Sequence, residues 1–280
     1  MTETLNCLVF DIETIPDVEF GRRLPGLANL DDAAVAEAMF ARRTEETGSS
    51  FLPFEQHRVV AISAALRTGD ELQVWSVGSL DSTEDDLLRR FFGGLEKLRP
   101  TLVSWNGSGF DLPVLHYRML KHGIAAPTYW DTGELDRDFR WNNYLNRYHT
   151  RHTDLMDVLS GYQPRGRASL QHVAELLGLP GKLGMDGDKV WDAWREGRLA
   201  EIRDYCETDV LNTYLIYLRF ELIRGRLTPA SHASELARVR AWLGERKEGH
   251  WRAFAAVWKD RKSTRLNSSH IQKSRMPSSA

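Results

Sequence analysis

The chain has 280 residues, 42% hydrophobic and 27% charged, with a net charge of −2. That is apolar material for one sizeable core, and by length for one or two domains. No run approaches the roughly 20 apolar residues that span a bilayer, and the opening MTETLNCLVFDIETIP lacks the basic and apolar regions of a secretory signal, so a cytoplasmic protein with no membrane partner is expected.

Residues 6–10 (NCLVF) form an apolar run followed by acidic residues and Pro16, which predicts a buried strand ending at its carboxyl edge. Residues 17–53 are polar, with an Ala-rich helical patch near 32–43, and read as an excursion between strands. Residues 58–66 and 71–77 predict two strands about the turn signal Thr68-Gly69-Asp70. Leu87, Leu88, Phe91, Phe92, Leu95 and Leu98 give 81–99 a helical spacing with acidic residues in its first turn. Residues 101–105 (TLVSW) are the next strand, and a helical pattern follows from Asp111 to about His122.

Residues 130–149 are rich in aromatics, Asn and Arg and show no clear period. Short helices are expected at 155–162, at 169–177 before Gly178 and Pro180, and at 190–194. A long periodic helix spans 199–224 up to Gly225, and 230–258 reads as helical again. Strands and helices alternate after an early hairpin, which predicts an α/β fold with a mixed central sheet flanked by helices.

Two cysteines, Cys7 and Cys206, fall in a predicted strand and a predicted helix. Their spacing argues against a zinc site or disulfide framework and for two small core thiols. The near-neutral balance lacks the basic footprint of a nucleic-acid binder, although bound metals would add charge that the count omits.

Three acidic signals stand out. Asp11-Ile12-Glu13 follows the first strand; residues two apart in an extended segment point to one face, at the strand end where α/β sheets place their sites. A solvated loop start fits the same residues. Asp111 follows Asn106-Gly107-Ser108-Gly109-Phe110 and has Pro113 two residues on; a helix-capping Asp and a functional one fit equally. Tyr205 and Asp209 are spaced i, i+4 and share one helical face, where a partly buried carboxylate requires a partner. A metal ion would provide one.

In order, strand-DxE, strand-NGxxFD-helix and helix-YxxxD resemble the three motifs of the DEDD exonuclease superfamily, in its tyrosine-bearing branch. The histidine branch would place a His where Asp204 stands. The nearest likeness is to predicted 3′→5′ exonucleases related to the proofreading domain of family B DNA polymerases. It spans about residues 7 to 227 and includes FLPFEQHRVVAISAAL, SLQHVAELLGLPGKLG and IRDYCETDVLNTYLIYLR.

The resemblance implies a ribonuclease H-like fold and a metal-dependent 3′→5′ exonuclease acting on a nucleic-acid 3′ end, with DNA favoured over RNA. It implies two divalent cations, Mg²⁺ or Mn²⁺, as oxygen-only ligands select hard ions. Asp11 would bridge them, Glu13 and Asp209 would complete one, and Asp111 would help hold the other. Tyr205 would orient the attacking water. Ile12, Thr14, Asn106 and Phe110 are candidate substrate contacts, with Phe110 equally readable as a core aromatic. The stretch 137–151 reads as a lining for the single strand or as a plain surface loop. An RNA exonuclease of the same superfamily and a catalytically silent binding or structural module are the alternatives.

The expected division is an exonuclease domain over 1–227, a helical extension over 228–259 and a tail over 260–280. That tail, DRKSTRLNSSHIQKSRMPSSA, resembles the conceptual translation of a short-read sequencing adapter and is excluded from the fold reading.

Overall fold

The computed structural model describes residues 5–259, so the adapter-like tail lies outside the described residues. Its elements run β1 (Cys7–Pro16), α1 (Val18–Gly21), α2 (Asp32–Thr47), β2 (His57–Thr68), β3 (Glu71–Ser76), α3 (Glu84–Leu98), β4 (Thr101–Ser104), α4 (Asp111–His122), α5 (Pro127–Trp130), β5 (His152–Asp154), α6 (Leu155–Leu159), α7 (Leu170–Leu177), α8 (Val190–Arg195), α9 (Leu199–Ile223) and α10 (Pro229–Gly244). A last helix, α11, covers 249–259. The sheet order is β3-β2-β1-β4-β5. β1–β2 and β2–β3 are antiparallel, whereas β1–β4 and β4–β5 are parallel. This mixed sheet flanked by helices is the ribonuclease H-like α/β fold. No helix among the described residues is long and apolar enough to cross a membrane.

β1 differs from its predicted extent. It continues through Asp11 and Glu13 to Pro16 because β2 pairs with it antiparallel as far as Pro16↔His57, with a bulge between Glu13 and Thr14. The parallel partner β4 stops at Val9↔Val103. Asp11 and Glu13 thus lie on a strand held from one side only, beyond the carboxyl end of β4.

The alternation of side chains along β1 assigns its two faces. Leu8, Phe10 and Ile12 join a core with α3 (Phe91, Leu95) and α4 (Leu115). Cys7 and Val9 join the other core, with Val210, Tyr214 and Leu218 of α9, and Ile15 meets Ile202 of α9 in a third cluster. Asp11 and Glu13 fall between Val9 and Ile15 on the α9 face. α9 is buried on nearly every side over its 25 residues, as expected of a helix sandwiched against a sheet and further helices.

The stretch 230–258, which reads as one helical segment, is two helices broken at Glu245–Glu248. Both enter the core: Trp242, Trp251 and Phe254 pack in the same cluster as Val9, and buried Arg67 of β2 pairs with Glu235 at 2.7 Å. β5, three residues long, lies where no period is visible in the sequence.

Candidate active site

The α9 face of β1 brings Asp11 and Glu13 under Cys206 and Asp209. Ligand atoms of Asp11, Glu13 and Cys206 all lie within 4.8 Å of one another. The Cys206 thiol, 3.5 Å from Asp11 Oδ2, is therefore a neighbour of the acidic pair as well as the core residue expected from sequence. Burial pushes that thiol up, reinforced by Asp11 and Glu13, and keeps it a neutral, weak S–H donor.

Asp111 arrives from the other side of β1. It opens α4 at the first helical position; Phe110 is the cap residue and makes no side-chain capping bond. Asp111 Oδ1 accepts the backbone N–H of Ile12 at 3.1 Å, locking the α4 start to the strand between Asp11 and Glu13. The turn before α4 is set by Asn106, which adopts left-handed φ of 65°, and by Gly107, where a Cβ would collide with the Ser104 side chain.

Asp154, at the end of β5, holds this turn and was not visible as a functional residue in the sequence. Its carboxylate accepts from the N–H groups of Asn106 (3.0 Å) and Ser108 (2.9 Å) while also capping α6 through Met156 and Asp157.

Four carboxyls so close resist ionising together. Burial and then Asp111 hold Asp11 well above the usual range; burial, Asp11 and Asp209 do the same to Glu13. Burial lifts Asp111 to about 7 against its backbone hydrogen bonds. Burial and Asp11 push Asp209 to about 7, opposed by Lys182 and the Tyr205 hydroxyl. Asp209 Oδ1 is buried and accepts no hydrogen bond from the described residues. An orphaned buried carboxylate oxygen facing further oxygen donors fits a hard divalent cation.

Lys182 lies near the end of the family-like segment SLQHVAELLGLPGKLG, where nothing in its local sequence marks it as functional. Its Nζ donates to the Tyr205 hydroxyl at 2.7 Å, and its charge pulls down the carboxyls of Asp11, Glu13 and Asp209. Asn212 of α9 brackets Gly181 with two hydrogen bonds, and Gln171 of α7 accepts from the Lys182 backbone N–H at 2.5 Å. Gly181 sits at φ 71°, where a Cβ would meet the Gln171 amide. Burial, Asp209, Glu13 and Asp11 raise the Tyr205 phenol far above its ordinary value. It stays protonated, accepts from Lys182 and directs its own proton towards Asp209.

The candidate substrate contacts are placed unequally. The Ile12 side chain is buried in the core, and its N–H is committed to Asp111. The Thr14 hydroxyl lies 2.9 Å from His57 Nδ1, whose Nε2 faces the Leu52 carbonyl at 3.1 Å; that carbonyl requires a proton on Nε2, so Thr14 donates to Nδ1. Phe110 is half-buried, packing against Phe51, Phe54 and His57 with ring centroids 5.2–6.2 Å away. These contacts are the packing reading of Phe110, and exposed Phe51 extends the same aromatic patch outward.

Fold and geometry together define a ribonuclease H-like α/β protein whose central strand meets α4 and α9 at a cluster of mutually repelling carboxylates and one tyrosine–lysine pair. The chain belongs to the family described as "Predicted 3'-5' exonuclease related to the exonuclease domain of PolB", whose model matches residues 49–258. The matched span includes Asp111, Tyr205 and Asp209 and begins after β1. Membership of this family implies a nuclease and a nucleic-acid substrate. A search of curated proteins finds no match.

Proposed function

We propose that this chain is a metal-dependent 3′→5′ exonuclease that shortens single-stranded DNA and releases nucleoside 5′-monophosphates. The observation that carries the reading is the approach of Asp111 of α4 and Asp209 of α9 to Asp11 and Glu13 on the central strand β1, with Asp209 Oδ1 buried and unpartnered among the described residues. These four side chains would hold two Mg²⁺ or Mn²⁺ ions, which when bound supply the charge that acidifies water and stabilises a leaving oxygen.

In the reaction, a water oxygen bonds to the terminal phosphorus as the bond to the preceding 3′ oxygen breaks. The shortened strand keeps a 3′-hydroxyl, and the phosphate leaves on the released nucleotide. Tyr205 orients the water as a hydrogen-bond partner; its raised phenol disfavours a role as base. Lys182 fixes the phenol and offsets part of the carboxylate charge. Ile12 acts through its backbone by holding Asp111. Thr14, Asn106 and Phe110 border the place of the terminal nucleotide, and Phe51 beside Phe110 offers a stacking surface tolerant of sequence.

The division into a domain over 1–227 and an extension over 228–259 is retained as a proposal, with the extension sealing the α9 side of the core. The cytoplasmic placement is likewise a proposal. The function is tested on matched DNA and RNA strands of one sequence with Mg²⁺ or Mn²⁺, the products being separated by chromatography. Release of deoxynucleoside 5′-monophosphates in preference to ribonucleotides supports the reading; a preference for RNA moves the substrate to the superfamily's RNA branch, as the metals act on phosphate and the 2′-hydroxyl decides the sugar.

A further inference from the structure

The parallel pairing of β1, β4 and β5 delivers three segments to one edge of the sheet: the acidic part of β1, the Asn106–Asp111 turn after β4, and the α6 start after β5. The first two belong to the carboxylate centre. The third carries Asp157, a buried carboxylate with 3% exposure that grips two arginines. Arg147 donates to Oδ2 at 2.7 Å and Arg167 to Oδ1 at 3.0 Å. Both guanidinium-bearing side chains remain open to solvent, at 43% and 36%. One buried charge cannot neutralise two, so the pair keeps a net positive charge on a prearranged mount.

Aromatic surface flanks Arg147. The Arg147 guanidinium lies over the rings of Tyr148 (5.8 Å) and Tyr162 (5.3 Å), and Tyr148 is exposed. Arg147 and Arg167 also line a cleft of about 270 Å³ with Ser108, Leu112 and Pro113, so its other wall is the turn and helix start that present Asp111. Across 137–167 the sequence places six arginines against three aspartates. Two of those aspartates, Asp154 and Asp157, are buried and engaged. This is a local cationic face on a chain whose net charge is −2.

We propose that Arg147 and Arg167, mounted on Asp157 beside Tyr148, form a binding site for the backbone phosphate and a stacked base of single-stranded nucleic acid upstream of the end held at the carboxylates. Paired guanidinium groups suit phosphate oxygens, and an exposed tyrosine accepts any base face. The site rests on the nuclease reading for its direction along the strand, while its chemistry of recognition stands on the arginine–tyrosine geometry alone. It accounts for how a chain without a general basic excess retains a strand.

The test is fluorescence anisotropy of a 5′-fluorescein-labelled single strand of twelve thymidines with the full-length protein in EDTA, beside a labelled dinucleotide, which has too few phosphates to fill both the carboxylate centre and the arginine pair. Two variants are compared with the wild type: Tyr148→Ala, at an exposed position, and the triple Arg147→Gln/Arg167→Gln/Asp157→Asn, which leaves no unpaired buried charge. Circular dichroism checks that each is folded. The wild type should prefer the longer strand. The triple variant should lose about tenfold or more of that preference, and its salt dependence should fall by about 0.7 in log–log slope for each phosphate contact removed; Tyr148→Ala should lose several-fold. Unchanged affinity in the folded variants overturns the proposal, as does a wild type that binds neither strand. If the wild type degrades DNA with Mn²⁺ yet the variants bind normally, the nuclease reading survives and this site falls. If the variants lose binding while no form degrades DNA or RNA, the site survives and the nuclease reading falls.

Discussion

Lys182 Nζ and the Tyr205 hydroxyl lie 2.7 Å apart, and this contact ties the Gly181 loop to the N-terminal third of α9. Because the lysine donates, the phenol is left with its own proton for a second partner. Lys182→Met removes that anchor and one positive charge from a set of four carboxyls. We expect kcat on single-stranded DNA to fall roughly 10–100-fold, in the range of losing one positioning hydrogen bond and its charge. Tyr205→Phe should fall by a similar factor, and the double variant should fall by less than the product, because the two act as one unit. Steady-state kinetics of the four proteins checks this; full multiplicativity would show that the contact does not matter.

The metal-free site should be a source of instability. Asp209 has its folded pKa raised from 3.8 to about 7, so between those values the folded state binds the proton that the unfolded state has lost. Stability from this group is therefore present below about pH 4 and is lost as pH rises through 7. In EDTA, Asp209→Asn should raise Tm at pH 8 and lose that advantage as pH falls towards 4. The gain is on the order of a few kcal/mol, and thermal melts across pH read it directly. Mn²⁺ should raise the Tm of the wild type at pH 8 and do little for the variant.

Asp154 carries four backbone N–H groups across two elements. Asp154→Ala leaves the buried Asp157 N–H and three part-buried N–H groups without their acceptor and should cost about 1–3 kcal/mol of stability, measured by urea unfolding. Activity should fall further than the stability loss explains, because Asp111 depends on the same turn.

A second buried network supports the strand bulge. Arg118 binds Glu84 through two nitrogens, at 2.7 and 2.6 Å, and Asp17 at 2.6 Å, while Glu84 Oε1 accepts the Val59 N–H beside the bulge. Arg118→Met leaves Asp17 with Lys121 and Glu84 with His122 and the Val59 N–H, so the acids keep part of their compensation, and we expect a loss of about 2–4 kcal/mol by urea unfolding. A loss under about 1 kcal/mol would mean that Lys121 and His122 suffice for the two acids.

Much of this was legible in the sequence. The 3.6-residue period places α3 and α4 to within a few residues, since their apolar stripes face a core, while α9, buried on nearly every side, is legible as a long apolar-rich run up to Gly225. The i, i+4 spacing of Tyr205 and Asp209 put both on the face that meets β1. The end of β1 was misread because charged residues signal a strand end, whereas Asp11 and Glu13 are retained by pairing with β2, a long-range effect. β5 is too short for any period to appear. Lys182 and Asp154 left no local mark, as each is defined by partners in other segments: Tyr205 for one, the Asn106 turn for the other. α10 and α11 read as one helix because the break at 245–248 contains neither proline nor glycine.

The central claim is that Asp11, Glu13, Asp111 and Asp209 together make a metal-dependent phosphodiester hydrolase. Its most direct test is a 5′-labelled single-stranded DNA incubated with the full chain and Mg²⁺ or Mn²⁺, beside EDTA and the variants Asp11→Asn and Asp209→Ala. The account predicts a ladder shortening from the 3′ end, abolished by EDTA and reduced at least ~100-fold in both variants. A ladder that persists in EDTA or in the variants, or DNA and RNA strands that both stay intact with the wild type, would contradict it.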